Sequence, residues 1–509
     1  MPPANNIPGT SMLSTRRPGN PAQEATELFE CYLPEQAERL QRRLNGSAWQ
    51  RLLRSGAVAA ARQARAETPA EPAPDRLAAD HLIARNEAAA RARIAAGERD
   101  RESLLAILAR WNDSGAADVP LPGLSFLGLC LTWACNAVPK CRYCNQQPTA
   151  RRMRLAHWKR VITRAAESGG RPYVYMTGGE PLLWRERLYG PDGLIRHATA
   201  RGCPANINTN AFLLTPHVAI QLVASGLAKL HVSLDSADPA VHDRLAGAPG
   251  CWQRALAGIE NIQIARELLG VDRPVVHVNC VLTRENARGW PELVRLILHV
   301  KKQRSAGHQG SRRGDPVFRE LGAHLIPVGG PQNAALRLAA DEIRRFHQET
   351  WERAAAVWDE YQEETGVPPG ERVAFNDWAF FASAWRRVAH RGTLAEYAAA
   401  CVAGEYARLA LGPRCHIVPT QAFVLPDGSQ YWCGAHYVSR PEPVGNVLES
   451  DLVGNIRRSL PQVAGFPGPR CRNCATATLF LNQGIEKTLG AKVEAWIKEA
   501  ESEAGPSPG

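Results

Sequence analysis

From residue 122 onward the chain alternates short apolar runs with longer amphipathic stretches. The runs lie at 124–132 (LSFLGLCLT), 173–178 (YVYMTG), 205–210 (ANINTN), 229–235 (KLHVSLD), 275–283 (VVHVNCVLT) and 324–330 (HLIPVGG). Their length and their β-branched and aromatic content predict strands. Residues 152–167, 215–226, 252–269 and 290–303 fall between them and are predicted helices. Strands alternating with helices imply parallel βα units, so the predicted fold class is α/β, a barrel or an open sheet, over residues 120–333.

The flanks have a different texture. Residues 1–20 are rich in Pro, Gly and Asn and are predicted to be disordered. Residues 21–115 are rich in Ala, Arg, Leu and Glu and predict helices, with a linker at TPAEPAPD (68–75). Residues 334–410 predict a helical connection without strands. Residues 411–482 are expected to form a small α+β unit, containing a hairpin at 417–433 that turns on Asp427-Gly428. Residues 483–509 predict a last helix, about 484–502, and a tail. No internal repeat is visible.

Composition narrows the class. With 45% hydrophobic and 22% charged residues, the 509-residue chain has the balance of a soluble globular protein. No run approaches the length of a membrane span, and MPPANNIPGTSML lacks the charged and apolar regions of a secretory signal, so a cytoplasmic setting is expected. The net charge of +11 would suit a nucleic-acid binder. However, the arginines of the first hundred residues are interleaved with Glu and Asp, so they read as solvated helix faces, which argues against a nucleic-acid partner.

The thirteen cysteines are unevenly placed. Cys130, Cys135, Cys141 and Cys144 fall within fifteen residues, and Cys415, Cys433, Cys471 and Cys474 form a second set. Cys31, Cys203, Cys251, Cys280 and Cys401 are scattered, as small buried hydrophobes are. Clustered cysteines in a reducing compartment point to metal or catalysis, which leaves zinc, iron–sulfur and redox thiols open.

Polar groups and glycines gather at one end of every predicted strand. The first strand runs into the cysteine loop, and the second ends in Thr177-Gly178-Gly179-Glu180-Pro181. The others end in Thr209-Asn210, Ser233-Leu234-Asp235, Asn279-Cys280 and Pro327-Val328-Gly329-Gly330. In parallel α/β folds that end is the functional mouth. Three thiolates suit a [4Fe–4S] cube whose fourth iron stays open to an outside ligand. The alternative, a four-thiolate zinc site including Cys130, explains neither the Gly-Gly-Glu-Pro turn nor the strand-end order.

On these residues the chain resembles the radical S-adenosylmethionine (SAM) enzymes, from about Leu124 to Asn482. The resemblance implies a partial (β/α)6 barrel. The family's cluster loop usually reads C-x3-C-x2-C with an aromatic before the last cysteine. Here Cys135, Cys141, Tyr143 and Cys144 give C-x5-C-x2-C, two residues longer, with Val138-Pro139 as the insertion. Carried over, Gly178, Gly179 and Glu180 would hold the methionine amine of SAM. Ser233 and Asp235 would meet its carboxylate or ribose, Asn279 its ribose, and Tyr143 its adenine.

The second cysteine set resembles the C-terminal extension called SPASM, or its shorter relative, the twitch domain. Cys415, twelve residues, Gly428, four residues and Cys433 precede the pair Cys471 and Cys474. The resemblance implies one auxiliary [4Fe–4S] cluster held at all four corners by these cysteines. The alternative is a zinc ribbon. The implied activity is reductive cleavage of SAM to a 5′-deoxyadenosyl radical, fed by a donor such as flavodoxin or ferredoxin. The radical would lead to oxidative modification of a substrate, above all a ribosomally made peptide. Dehydrogenation of an aminocyclitol or sugar hydroxyl is the second expectation, and a non-catalytic metal-binding scaffold a distant third.

Overall fold

The computed structural model describes residues 28–68, 78–110, 123–146, 148–149, 152–300, 322–328, 331–378, 393–403, 414–434, 437, 442–465, 471 and 476–503. The expected disordered start, most of the 68–75 linker, the end of the tail, Gly329, Gly330 and Cys474 lie outside these residues.

All six predicted strands form: β1 (Phe126–Thr132), β2 (Tyr173–Gly178), β3 (Ala205–Thr209), β4 (Lys229–Ser233), β5 (Val275–Leu282) and β6 (Gly322–Pro327). Each pairs in parallel with the next. Helices α1 (Leu155–Glu167), α2 (Leu194–Thr199), α3 (Pro216–Ala224), α4 (Cys251–Leu269) and α5 (Trp290–His299) lie in the successive crossovers. This is the alternating α/β architecture of a partial barrel.

Alternate residues of β1 to β5 divide between two environments. Leu127, Leu129, Val174, Met176, Ile207, Leu230, Val232, Val276 and Val278 belong to the main hydrophobic core. The opposite face is concave and polar. Tyr175 on β2 meets His231 on β4 ring to ring at 6.0 Å, reaching across β3. Asn279 on β5 likewise reaches Asn208 on β3, donating from Nδ2 to Oδ1 at 2.8 Å.

The predicted hairpin forms as β7 (Gln421–Val424) and β8 (Ser429–Tyr431), with Gly428 at φ +88° in its turn. A two-residue strand, β9 (Gly445–Asn446), completes it. The hairpin does not stand apart from the barrel: β7 pairs in parallel with β1, giving one sheet in the order β6-β5-β4-β3-β2-β1-β7-β8-β9. Gly128 makes that junction possible, because a Cβ there would lie 2.2 Å from the Phe423 ring.

The amino-terminal helices cover the outside of the barrel. Tyr32, Gln36, Arg39, Arg43 and Trp49 face α4, and the last helix, α6 (Thr476–Glu503), packs on the helices Ala78–Ala95 and Arg101–Leu108. Arg39 stays exposed, as expected for a solvated helix face, and Arg43 is half-buried, yet both reach inward to α4. Arg39 and Arg43 pair with the buried Glu260 at 2.7 and 2.5 Å, because α4 turns a polar stripe toward them.

Candidate active site

The loop after β1 crosses the mouth of the barrel and is tied to the ends of the other strands. Gln146 Nε2 donates to the Gly178 carbonyl, and Asn210 Nδ2 donates to Asn136 Oδ1 at 3.0 Å and reaches Cys135 Sγ at 3.8 Å. The Arg142 amide donates to the Leu245 carbonyl, and Glu285 pairs with both Arg142 and Arg244. From beyond β6, Asn333 Nδ2 donates to the Tyr143 carbonyl at 3.1 Å and to Asn145 Oδ1 at 3.0 Å.

Cys135, Cys141 and Cys144 are half-buried on this loop and lie close enough to influence one another electrostatically. Burial raises the Cys141 thiol to about 12, with Asp235 and Cys144 adding to the effect, and burial raises Cys135 as well. Cys130 sits elsewhere, packed with Trp133, Phe423 and Leu425. Among the described residues no three His, Cys, Asp or Glu side chains close on one point as the ligands of a single ion would. Three neighbouring thiols without a fourth protein ligand fit a cluster with one open corner better than they fit zinc.

Opposite the loop stands the turn after β2. Gly178 has φ +135°, and a Cβ there would lie 2.4 Å from the Thr132 carbonyl oxygen; at Gly179 it would lie 1.9 Å from that of Ala134. Only glycine lets the turn press against the cysteine loop so closely. Glu180 is fully buried. Its Oε1 accepts from the Leu182 amide (3.0 Å) and the Thr209 hydroxyl (2.7 Å), and its Oε2 from the Asn210 amide (2.9 Å). Burial raises its carboxyl to about 7 against the opposing pull of these three bonds. A carboxylate has about four acceptor positions, so one is left for a ligand.

The remaining predicted contacts are also spoken for within the chain. Asp235 is buried, with Oδ2 accepting from the Tyr143 hydroxyl at 2.5 Å and Oδ1 from the Val281 amide at 2.8 Å. Burial raises its carboxyl, with His242 and Tyr143 opposing. Asn279 shares its Oδ1 with His231 Nδ1 at 2.8 Å. Ser233 stands half-buried beside it in register. Thr209, Asn210, Gln146, Asn208, His231 and Asn333 also hold the site. The signal for two of them was polar residues at alternate positions of otherwise apolar strands, ANINT and KLHVS.

In the second set, burial raises the Cys415 thiol to about 12, with Cys433 and then Cys471 as electrostatic neighbours. Asn482 on α6 grips the Cys415 loop, accepting from the His416 amide at 2.6 Å and donating to the Arg414 carbonyl at 2.9 Å. Glu486 pairs with His416 and Arg414; burial alone would raise its carboxyl, but these partners lower it to about 2. An aromatic cluster packs beside Cys130 at the β1–β7 junction. Tyr437 stacks on Phe423 at 5.7 Å and lies 6.3 Å from Trp133 and 5.5 Å from Tyr431.

A parallel partial barrel with a three-thiol loop and a glycine turn at its carboxyl mouth is an α/β architecture with a candidate cluster site. Residues 134–297 match the Radical SAM superfamily. Over those residues the chain is similar to the radical SAM domain. It is 36% identical over 139 residues to an AdoMet-dependent heme synthase of Methanosarcina barkeri, covering 26% of this chain and 38% of that protein. It is 30% identical over 187 residues to a PqqA peptide cyclase of Xanthomonas axonopodis pv. citri, covering 36% and 46%. The matches span under half the length of these curated relatives. Streptococcus suis SuiB bound to precursor peptide SuiA superposes with a TM-score of 0.43 at 14% identity, over 70% of this chain and 71% of that one. No described helix is long and apolar enough to cross a membrane.

Proposed function

We propose that this protein is a SAM-cleaving oxidoreductase that modifies a ribosomally synthesised peptide. The observation that carries the reading is the three-thiol loop facing the Gly178-Gly179-Glu180 turn at the mouth of a parallel sheet. Cys135, Cys141 and Cys144 would hold a [4Fe–4S] cluster with one open corner, and Cys415, Cys433, Cys471 and Cys474 a second one closed by protein on all corners. When bound, the first cluster and SAM together supply one-electron bond cleavage and hydrogen-atom abstraction.

The chain's own residues do the rest. Gly178 and Gly179 seat the turn directly against the cysteine loop, and Glu180 offers its remaining acceptor position to the methionine ammonium. Ser233, beside Asn279, lines the wall that would meet the ribose. Trp133, Phe423 and Tyr437 pack together beside β1 and β7 and make that junction apolar. A small flavodoxin or ferredoxin would supply the electron.

The similarity to PqqA peptide cyclases supports a peptide substrate. The heme synthases share the same region, which favours a heme precursor as the second reading. The test begins with anaerobic reconstitution, which should load about eight irons per chain, the sum of two four-iron clusters. Dithionite and SAM should then yield 5′-deoxyadenosine. Stoichiometric zinc with little iron would refute the reading. Mass spectrometry of small peptides encoded beside the gene, co-expressed with the enzyme, should show loss of a hydrogen pair; turnover of a porphyrin instead would select the second reading.

A further inference from the structure

The structure assigns Tyr143 and Asp235 to each other: we infer that they form a positioning pair that sets the cysteine loop across the mouth of the barrel. Tyr143 immediately precedes Cys144, so whatever holds its side chain also orients that cysteine. Its hydroxyl donates to Asp235 Oδ2 at 2.5 Å, just beyond β4, and the other carboxylate oxygen accepts the Val281 amide of β5 at 2.8 Å. β2 and β3 separate β1 from these strands, so the pair is a tie across the opening rather than between neighbours.

Asp235 is itself fixed from several sides. Its amide donates to His242 Nδ1 at 3.0 Å, and its carbonyl accepts from Asn286 Nδ2 at 2.7 Å. The same Asn286 amide bonds the Val281 carbonyl at 2.9 Å. His242 Nδ1 lies 3.9 Å from Asp235 Oδ2, and both side chains are buried. The carboxylate is thus a rigid post, its side chain fully buried, with each oxygen engaged by a donor of the chain. Partners that orient a metal-binding segment in this way commonly govern affinity nearly as strongly as the ligands do.

The inference rests on reading Cys135, Cys141 and Cys144 as cluster ligands, and its test separates the two claims. The full chain and the variants Tyr143→Phe, Asp235→Asn, Asp235→Leu and Tyr143→Phe/Asp235→Leu are reconstituted with ferrous iron and sulfide. All carry Ala in place of Cys415, Cys433 and Cys471, so only the first cluster is scored. Iron retention against a chelator, the EPR spectrum of the reduced cluster with and without SAM, and circular dichroism are recorded.

Tyr143→Phe should weaken iron retention roughly ten- to a hundred-fold and blunt the spectral change on adding SAM, with the fold unchanged. Asp235→Asn should stay near the parent, because a carboxamide still accepts the Val281 amide and offers N–H to the tyrosine oxygen. Asp235→Leu should match Tyr143→Phe, and the double variant should be no worse than either, as expected for one shared interaction. Parent-like retention and spectrum in Tyr143→Phe, or additive losses in the double variant, would overturn the pair while leaving the cluster intact. A parent background that takes up no iron would overturn the cluster reading and the pair with it.

Discussion

Glu180→Gln replaces one oxygen by an amino group at the most heavily used acceptor of the site. A carboxamide can keep its oxygen on the Leu182 amide and Thr209 hydroxyl, but its nitrogen then faces the Asn210 amide, donor against donor. Orphaning one buried amide costs about 1–3 kcal/mol. That cost should show fully at low pH, where the parent carboxyl is neutral. Burial raises the folded carboxyl to about 7, whereas in the unfolded chain it titrates at about 4.3. A folded value raised in this way means stability that is full below the unfolded value and is lost as pH climbs through the folded one. The parent should therefore lose about 3 kcal/mol over that window, while the variant has no such group. Urea unfolding of the apo proteins from pH 5 to 8 should show the variant less stable at the acid end and the gap closing toward pH 8. After reconstitution, parent affinity for SAM should rise with pH up to about 7. That of the variant should be flat, and weaker by roughly ten- to a hundred-fold at pH 8, the loss of one charge-assisted bond. A gap independent of pH, with unchanged SAM affinity, would refute both the burial argument and the ligand role.

The two cysteine sets should fail differently. Replacing Cys135, Cys141 or Cys144 with Ala should abolish 5′-deoxyadenosine formation, measured by chromatography. Replacing Cys415, Cys433 or Cys471 should preserve it under dithionite but suppress oxidised product; a folded variant making product at the parent rate would mean a structural second site. Gly128→Ala would put a Cβ 2.2 Å from the Phe423 ring, so overpacking should cost about 1–3 kcal/mol; an unchanged melting temperature would contradict the described β1–β7 junction. Glu260→Ala leaves Arg39 and Arg43 without their shared carboxylate. Hydrogen exchange should then quicken in the helix Pro34–Leu44 by roughly ten-fold or more, since a partly exposed pair of this kind is worth about 1–3 kcal/mol; unaltered exchange there would show that packing alone holds it.

The parallel strands were legible because burial on both faces demands compact apolar runs, and β2 occupies the predicted 173–178. The cysteines of the first loop were legible because their spacing is local. What lay hidden is non-local. Nothing in QAFV says that it will pair with β1 rather than form a separate unit. Glu260, Asn261 and Gln263 look like a wet face of α4 until Arg43, Trp49 and Gln36 arrive from more than two hundred residues away. Asp235 read as a ligand contact through the family resemblance; its hydrogen-bond partner Tyr143 lies 92 residues earlier. Asn333 reaches Tyr143 across 190 residues and left no local trace.

The seating of β7 beside β1 also orders events at the ribosome. β1 emerges early, yet the neighbour on its open side follows 295 residues later, the separation of Ser125 from Thr420 at the start of that pairing. At ordinary elongation rates this is a wait of roughly 15–60 s. During it the nascent chain presents an apolar strand with one free edge, the kind of surface that recruits other strands or a chaperone. The first cysteine loop hangs from that same strand, so it is framed on both sides only once β7 has been made. A cluster delivered to the loop before that moment would meet a half-built frame.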